Sequence, residues 1–344
     1  MIWAIVIILI LLVCSPFVVG ILLSAPVYKG PKSDHFNGKT FINPAGMKAK
    51  GLSDVFKWMR ERKQGKWTFR NDIEPGPKPL PRYDNGVRIT FVNHSTFLIQ
   101  VDGINILTDP VWSARVSPFT FAGPKRMRPP GISFNDLPKI DLVLLSHNHY
   151  DHLDIATVRN IHDKYNPQFI VPLGVAQYLR QNKIEQVREL DWWQTQVAGA
   201  NFTIECVPAQ HFSGRGTLDR DKTLWCGYCI HGRHGNIYFA GDSGYNSETF
   251  KEIGRRTKPT LSIIPIGAYK PEWFMSPIHC SPDEAVMIHK DLNSPMSIAS
   301  HFGTFPLADD GCDDPVEGLQ SALKREGLTQ EEFVCLKEGF ARDF

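Results

Sequence analysis

Apolar residues fill the start of the chain and then recur in short runs that polar turns separate. Residues 2–24 contain no charged side chain, and the first lysine is Lys29. At a rise of about 1.5 Å per residue, this run exceeds the roughly 30 Å hydrocarbon core of a bilayer and therefore predicts one N-terminal transmembrane helix. A cleaved signal peptide is the alternative. It usually has a positively charged start and small residues before the cut, and this sequence has neither.

The next stretch, residues 25–85, predicts a basic connector. It carries 13 Lys and Arg against 6 Asp and Glu, a net charge of +7 in a chain whose total is +2. Apolar residues at helical spacing, Leu52, Val55, Phe56 and Met59, predict a short amphipathic helix within it. Two interpretations stay open: the helix lies on anionic lipid headgroups, or it packs against the main domain. Four prolines between residues 72 and 82 predict an extended linker.

From residue 86 to residue 344, short β-type runs alternate with helical ones, which predicts a single α/β domain. The β-branched and aliphatic runs predict strands over 87–92, 96–101, 104–108, 140–145, 168–171, 202–207, 223–230, 237–240 and 261–266. Helices are predicted over 155–164, 174–181 and 281–290.

Charge and cysteine usage narrow the choice of partners and compartment. Because the basic segment is local, a membrane surface is favoured as a partner and nucleic acid is not. Lysines flank only the C-terminal side of the apolar run, so the positive-inside tendency predicts a single-pass membrane protein whose main domain, residues 86–344, faces the cytoplasm. The seven cysteines are scattered and favour a reducing compartment. Cys226 and Cys229 resemble a redox motif, but three residues apart on a predicted strand they would point to opposite faces.

The stretch from residue 146 to residue 154, SHNHYDHLD, directly follows a predicted buried strand. It places His147, His149, Asp151 and His152 where a strand ends and a loop begins. Imidazole nitrogen and carboxylate oxygen are ligands that suit Zn²⁺, and such a loop can aim several of them at one point. The sequence therefore predicts a metal site here.

Three more residues of the same chemistry, His211, Asp242 and His301, also follow β-type runs. Together with the first cluster they resemble the ligand set of the metallo-β-lactamase superfamily. The resemblance implies a four-layered αβ/βα sandwich with two metal ions at one edge, and histidine at position 149 favours Zn²⁺ over iron. The implied ligands of the first ion are His147, His149 and His211. Those of the second ion are Asp151, His152 and His301, and Asp242 is the implied bridge between the two ions.

Longer motifs resemble the N-acylphosphatidylethanolamine-hydrolysing phospholipases D over roughly residues 86–338. They include LTDPVWSARVSP at 107–118, FAGDSGY at 239–245, IPIGAYKPEWFM at 264–275 and HFGTF at 301–305. The resemblance implies a zinc-dependent, membrane-associated phosphodiesterase that uses a metal-bridging hydroxide. Its products would be an N-acylethanolamine and phosphatidic acid.

The same resemblance implies roles around the metals. Asp151, His279 and Asp109 are expected to be catalytic, Asp109 by orienting a ligand histidine. Tyr150 and His279 are expected to contact the substrate phosphate, and Arg215 is expected to meet the lipid headgroup. The alternatives are another hydrolase of this fold acting on a soluble phosphodiester or lactone, and a non-catalytic membrane-anchored scaffold. The sequence does not determine the oligomeric state, and a homodimer stays an open expectation.

Overall fold

Two seven-stranded β-sheets form the centre of the molecule. The structure is a computed structural model that describes residues 18–71, 74–199 and 202–344. The strand order is β14-β1-β2-β3-β4-β5-β6 in the first sheet and β13-β12-β11-β10-β9-β8-β7 in the second. The strands are β1 Val87–Asn93, β2 Thr96–Val101, β3 Ile104–Thr108, β4 Leu142–Leu144, β5 Gln168–Pro172, β6 Val187–Leu190, β7 Thr195–Gly199, β8 Phe202–Val207, β9 Gly227–Gly232, β10 Gly235–Phe239, β11 Leu261–Pro265, β12 Ser297–Ser300, β13 Phe333–Val334 and β14 Ala341–Asp343.

Most helices pack on the outer faces of the sheets. The helices are α1 Leu52–Glu61, α2 Ile155–Tyr165, α3 Ala176–Gln181, α4 Ser247–Thr257, α5 Glu272–Met275, α6 Pro282–Asp291 and α7 Asp314–Glu326. Of these, α1 and α5 lie together over the edge where the candidate metal ligands meet. One apolar core lies between the sheets, where Phe91 and Ile106 of the first meet Tyr228 and Ile263 of the second. A separate core joins the other face of the first sheet to α2 and α3. The predicted four-layered α/β sandwich is confirmed.

Each sheet has an antiparallel half and a parallel half. In the first sheet β3 to β6 run parallel, and in the second sheet β10 to β13 do. The carboxyl ends of parallel neighbours meet at one edge of a sheet, so residues that follow them come close together in space. This topology gathers the polar residues that follow the strands.

Some predicted elements differ from the observed ones. The strand predicted over 223–230 is observed as Gly227–Gly232, because Leu224 and Trp225 pack with Phe36 and Phe41 of the N-terminal segment. The strands β6, β7, β13 and β14 and the helices α4 and α7 were not predicted. Cys226 therefore precedes β9, and it and Cys229 are buried free thiols.

The N-terminal segment contains the predicted transmembrane helix and the predicted connector. Most of the predicted transmembrane helix, residues 1–17, lies outside the described residues, and residues 18–23 are helical. Over 18–71, 74–199 and 202–344, no helix combines the length and apolar character that crossing a bilayer requires. The predicted connector packs on the main domain. Tyr28, Phe36 and Phe41 contribute to a small core with Trp225, and the Pro81 carbonyl accepts a hydrogen bond from Asn105 Nδ2 at 2.8 Å.

Candidate metal centre and substrate cavity

The seven predicted ligands come from four segments that meet at one edge of the two sheets. His147 and His149 follow β4, and Asp151 and His152 lie in the turn before α2. The other three follow strands of the second sheet: His211 comes after β8, Asp242 after β10, and His301 directly after β12. Each strand thus delivers its ligand at its carboxyl end, as the sequence predicted.

Three histidines form the first cluster. His147 Nε2 lies 2.8 Å from His149 Nδ1, and His149 Nδ1 lies 3.2 Å from His211 Nε2. His211 Nδ1 donates to the Ile278 carbonyl at 2.7 Å, which leaves its Nε2 lone pair directed at the other two rings. Three convergent imidazole nitrogens of this kind are a common zinc ligand set.

The second cluster centres on two carboxylates. Asp151 Oδ2 lies 3.3 Å from His152 Nε2 and 3.4 Å from His301 Nε2. Asp242 Oδ2 lies 3.1 Å from His152 Nε2, 3.2 Å from His301 Nε2 and 3.7 Å from His211 Nε2. Asp242 therefore reaches both clusters, which is the position expected of a bridging ligand.

The chemistry of these donors fits divalent metal ions. His152 Nε2, His301 Nε2 and Asp242 Oδ1 are buried and have no hydrogen-bond partner among the described residues. Burial by itself would raise the pKa of Asp242, but His152 and His301 hold that pKa well below its ordinary value, so the carboxylate stays ionised. Buried imidazole nitrogens that contact an ionised carboxylate without forming a hydrogen bond are costly unless a cation binds there. The residues present therefore fit metal ions such as Zn²⁺.

Asp109 supports the metal ligands from beneath. It is fully buried, and its Oδ2 accepts from His152 Nδ1 at 2.7 Å and from Ser146 Oγ at 2.6 Å. Its Oδ1 accepts from the Ser146 backbone N–H at 2.7 Å. Burial raises the pKa of Asp109, and the adjacent His152 opposes that rise. With Nδ1–H fixed on Asp109, His152 keeps Nε2 free for a metal, as the sequence predicted for this carboxylate.

Two buried residues near the ligands were missed by the sequence reasoning. Asn43, in the N-terminal segment, accepts from the His211 backbone N–H at 2.8 Å and donates to the His211 carbonyl at 2.7 Å. His94, in the turn between β1 and β2, places Nε2 3.0 Å from Asp151 Oδ2. A histidine directly after a β-type run was a usable signal for His94, because the other ligands share that position. Asn43 had no such signal.

His279 faces a cavity that opens above the metal ligands. Its Nδ1 lies 3.9 Å from Asp242 Oδ2, and burial lowers its pKa to about 4, so the imidazole is neutral at physiological pH. The cavity has a volume of about 280 Å³, and its polar floor includes His149, Asp151 and Asp242. Its wall is mostly apolar, with side chains from Val55, Trp58, Phe212, Phe274, Met275, Ile278 and Leu307.

Tyr150 and Arg215 occupy a different place from His279. Arg215 is buried, and its Nη1 donates to the carbonyls of Asn148 and Leu153 at 2.8 and 2.9 Å. Its guanidinium lies 3.9 Å from the centre of the Tyr150 ring, and Tyr150 Oη donates to the Arg215 carbonyl at 3.1 Å. Both line a second cavity that does not include His279. In the structure these two side chains therefore support the loop of residues 146–154, which carries four of the candidate ligands. Their predicted substrate contacts stay predictions.

Comparison with known proteins identifies the family. A family model described as a β-lactamase superfamily domain matches residues 104–302. The chain is 36% identical over 329 residues to N-acyl-phosphatidylethanolamine-hydrolyzing phospholipase D 1 of Caenorhabditis elegans, covering 88% of this chain and 92% of that protein. It is 38% identical over 246 residues to the mitochondrial N-acyl-phosphatidylethanolamine-hydrolyzing phospholipase D of Saccharomyces cerevisiae, covering 70% of this chain and 52% of that protein.

Solved structures agree on the fold. A metallo hydrolase from the archaeon Ignicoccus hospitalis superposes with a TM-score of 0.57 at 23% identity, covering 75% of this chain and 98% of that one. An isothiocyanate hydrolase from Delia radicum gut bacteria superposes with a TM-score of 0.59 at 20% identity, covering 75% of this chain and 99% of that one. With the ligand geometry and the sequence relatives, this makes the chain a metal-dependent hydrolase of the β-lactamase superfamily. Within it, the chain belongs to the family of N-acylphosphatidylethanolamine-hydrolysing phospholipases D.

Proposed function

We propose that this protein binds two Zn²⁺ ions and hydrolyses N-acylphosphatidylethanolamine to an N-acylethanolamine and phosphatidic acid. Hydrolysis adds water across the bond between phosphorus and the ethanolamine oxygen. The observation that carries the proposal is the cavity, in which a neutral imidazole and metal ligands lie beneath an apolar wall. A charged phosphodiester that bears acyl chains needs such a division of polar and apolar surface. The names of the two N-acyl-phosphatidylethanolamine-hydrolyzing relatives support the same reaction.

The metal ligands and His279 have different roles in the proposed reaction. Bound ions would supply a water of lowered pKa and neutralise charge that develops on phosphorus. His279 lines the cavity, and its buried Nδ1, 3.9 Å from Asp242 Oδ2, has no hydrogen-bond partner in the described ranges. Because the imidazole is neutral, it carries one N–H that donates to a phosphate oxygen without adding a second charge. Asp109 keeps His152 in the tautomer that binds metal.

Helix α1 supports access from a lipid surface. Val55 and Trp58 face the cavity, and Trp58 stacks on Phe274 with ring centres 5.0 Å apart. On its other side the helix exposes Leu52, Phe56 and Met59, which are 75%, 70% and 63% exposed. The exposed residues lie three and four positions apart and so form one stripe, with basic residues beside it. We propose that this stripe contacts anionic lipid at the cavity mouth.

We further propose that residues 2–24 anchor the protein in a membrane with the hydrolase domain on the cytoplasmic side. The supports are the uncharged apolar sequence and the lysines that flank only its C-terminal end. Protease accessibility in sealed cells tests the orientation: digestion of the domain from outside intact cells would contradict it.

The reaction is tested by incubating the purified protein with N-acylphosphatidylethanolamine and identifying products by mass spectrometry. We expect equal amounts of N-acylethanolamine and phosphatidic acid, and no turnover after removal of metal by a chelator. Asp242→Asn should lower both metal content and rate. His289→Gln is a matched control, because His289 is also buried but hydrogen-bonds Ser297 far from the ligands. Turnover of a soluble phosphodiester or a lactone alone would favour the other hydrolases of this fold.

The lipid contact is tested separately with vesicles and detergent-dispersed substrate. Phe56→Ser combined with Met59→Ser should lower binding to anionic vesicles by more than tenfold, while activity on dispersed substrate stays within about twofold. Phe340→Ser, which changes an exposed aromatic outside α1, is the control. Equal losses on both substrates would mean that the stripe supports the fold and not lipid access.

A further inference from the structure

His94 stands beside the second group of metal ligands but was not among the predicted ligands. It lies in the two-residue turn that joins β1 to β2, with a backbone φ of 48°. That conformation is uncommon for a residue with a side chain, and the surrounding contacts must hold it. The side chain is 2% exposed, so these contacts are with protein.

His94 contacts two ligands with two different groups. Its ring nitrogen Nε2 lies 3.0 Å from Asp151 Oδ2, and its backbone carbonyl accepts from the His301 N–H at 2.8 Å. The ring also lies against the His301 ring, with centres 4.1 Å apart. Its own backbone N–H donates to Thr304 Oγ1 at 3.0 Å, which ties the turn to the loop that carries His301. Asp151 and His301 are distant in sequence, and His94 links them.

We propose that His94 is a positioning residue: its Nε2–H donates to Asp151, and its backbone carbonyl and ring hold His301, so that both stay placed as ligands of the second ion. The inference rests on the two-ion site of the proposed function. A carboxylate that binds a metal needs an outer partner to hold its orientation, and such partners commonly change metal affinity by about 10- to 100-fold. His94 Nδ1 has no hydrogen-bond partner in the described part of the chain, so the single imidazole proton has its one partner at Nε2.

The experiment compares two variants of the full-length protein. His94→Gln keeps a side-chain N–H within reach of Asp151, whereas His94→Leu fills a similar volume without a donor. Metal content is measured after dialysis, and affinity is measured by competition with a chromophoric chelator. We expect two ions per chain in the wild type, about two in His94→Gln, and close to one in His94→Leu, with the affinity for the second ion about 10- to 100-fold lower. His289→Gln is the control for changing a buried histidine.

The Co²⁺-substituted proteins give a readout independent of activity. If His94 only positions Asp151, the visible absorption of wild type and His94→Gln should match, because the ligands of both ions are the same. Loss of the second ion in His94→Gln to the same degree as in His94→Leu would overturn the positioning role. So would an unchanged affinity in His94→Leu. A wild type that binds one ion would overturn the two-ion site itself, and the role of His94 with it.

Discussion

Asp109 offers the sharpest test of how the metal ligands are held, through the substitution Asp109→Asn. The carboxylate accepts three hydrogen bonds, from Ser146 N–H, Ser146 Oγ–H and His152 Nδ1–H, all with Asp109 fully buried. Asparagine offers one oxygen and one NH₂ group. In either orientation of the amide, its NH₂ group faces a group that donates to the carboxylate in the wild type. Facing the Ser146 backbone N–H, the NH₂ group meets a donor that cannot change.

The other orientation places the NH₂ group against His152 Nδ1. His152 must then accept at Nδ1 and carry its proton at Nε2, the nitrogen that would bind metal. The first orientation leaves the buried Ser146 N–H unpaired, which costs about 1–3 kcal/mol, and the second replaces hydrogen bonds to a charged acceptor by bonds to a neutral amide, which costs a similar amount. The second orientation also removes a metal ligand. We therefore expect Asp109→Asn to destabilise the metal-free protein by about 1–3 kcal/mol and to weaken metal binding about 10- to 100-fold.

Chemical denaturation of the metal-free protein measures the first effect, and chelator competition measures the second. Asp141→Asn is a suitable control, because Asp141 also accepts a backbone N–H, from Asn105 at 2.9 Å, but lies away from the metals. It should change stability and leave metal affinity unchanged. If Asp109→Asn binds metal as tightly as the wild type, the carboxylate does not set the tautomer of His152 and the reasoning is wrong.

Two further predictions concern stability away from the metals. Hydrogen bonds to Cys229 and to Glu205, which lies 2.9 Å away, raise the pKa of His231 to about 10. The stabilisation from this raised pKa is complete below the unfolded pKa near 6.5 and is lost as pH rises through about 10. The difference in free energy of unfolding between wild type and His231→Gln should therefore shrink by on the order of 1–2 kcal/mol between pH 7 and 10 in denaturation measurements. A difference that stays constant over this range would contradict the prediction. Ser281→Ala removes the cap that Ser281 Oγ gives the Glu284 N–H at the start of α6 and should lower the free energy of unfolding by about 1 kcal/mol, whereas an unchanged thermal midpoint would refute the cap.

The meeting of the candidate ligands at one edge could be expected from the sequence, because they come shortly after apolar strands and complete a ligand set that resembles a known family. His147 follows β4, Asp242 follows β10 and His301 follows β12, and the carboxyl ends of parallel strands meet at one edge. The local pattern gave the strand ends, and the family resemblance supplied the long-range grouping that the sheet topology shows. The core strands β1, β2 and β3 were predicted to within one residue for the same reason, since their apolar runs are bounded by turns.

The contacts that hold the ligands were less predictable, because they join distant parts of the chain. Asn43 bonds the backbone of His211, and nothing in the residues around Asn43 marks it. Arg215, four residues after His211, was expected to meet the lipid headgroup. Gly214, with a φ of 154°, lies between them, and the guanidinium runs instead to the carbonyls of the metal loop. Such turns depend on tertiary packing that local pattern does not record.

The role of Asn43 changes how the N-terminal segment should be tested. Removing residues 1–50 would be expected to weaken only lipid access if this segment were a simple tether. It would also remove Asn43, whose side chain accepts from His211 N–H at 2.8 Å and from Trp225 Nε1–H at 2.9 Å. Removing residues 1–17 deletes none of the described contacts and separates the two effects.

We expect removal of residues 1–17 to lower activity on vesicles while metal content and activity on detergent-dispersed substrate stay within about twofold, because tethering raises local lipid concentration only. Asn43→Ala should instead affect the metal site and not the access to lipid. It leaves the buried His211 N–H unpaired, at a cost of about 1–3 kcal/mol, and frees the backbone that aims His211 at the metals. Metal affinity should then fall with a similar loss of rate on vesicles and on dispersed substrate. If Asn43→Ala leaves metal affinity unchanged, the Asn43 hydrogen bond does not hold His211 in place. If removal of residues 1–17 lowers metal content, the N-terminal segment supports the metal centre beyond Asn43.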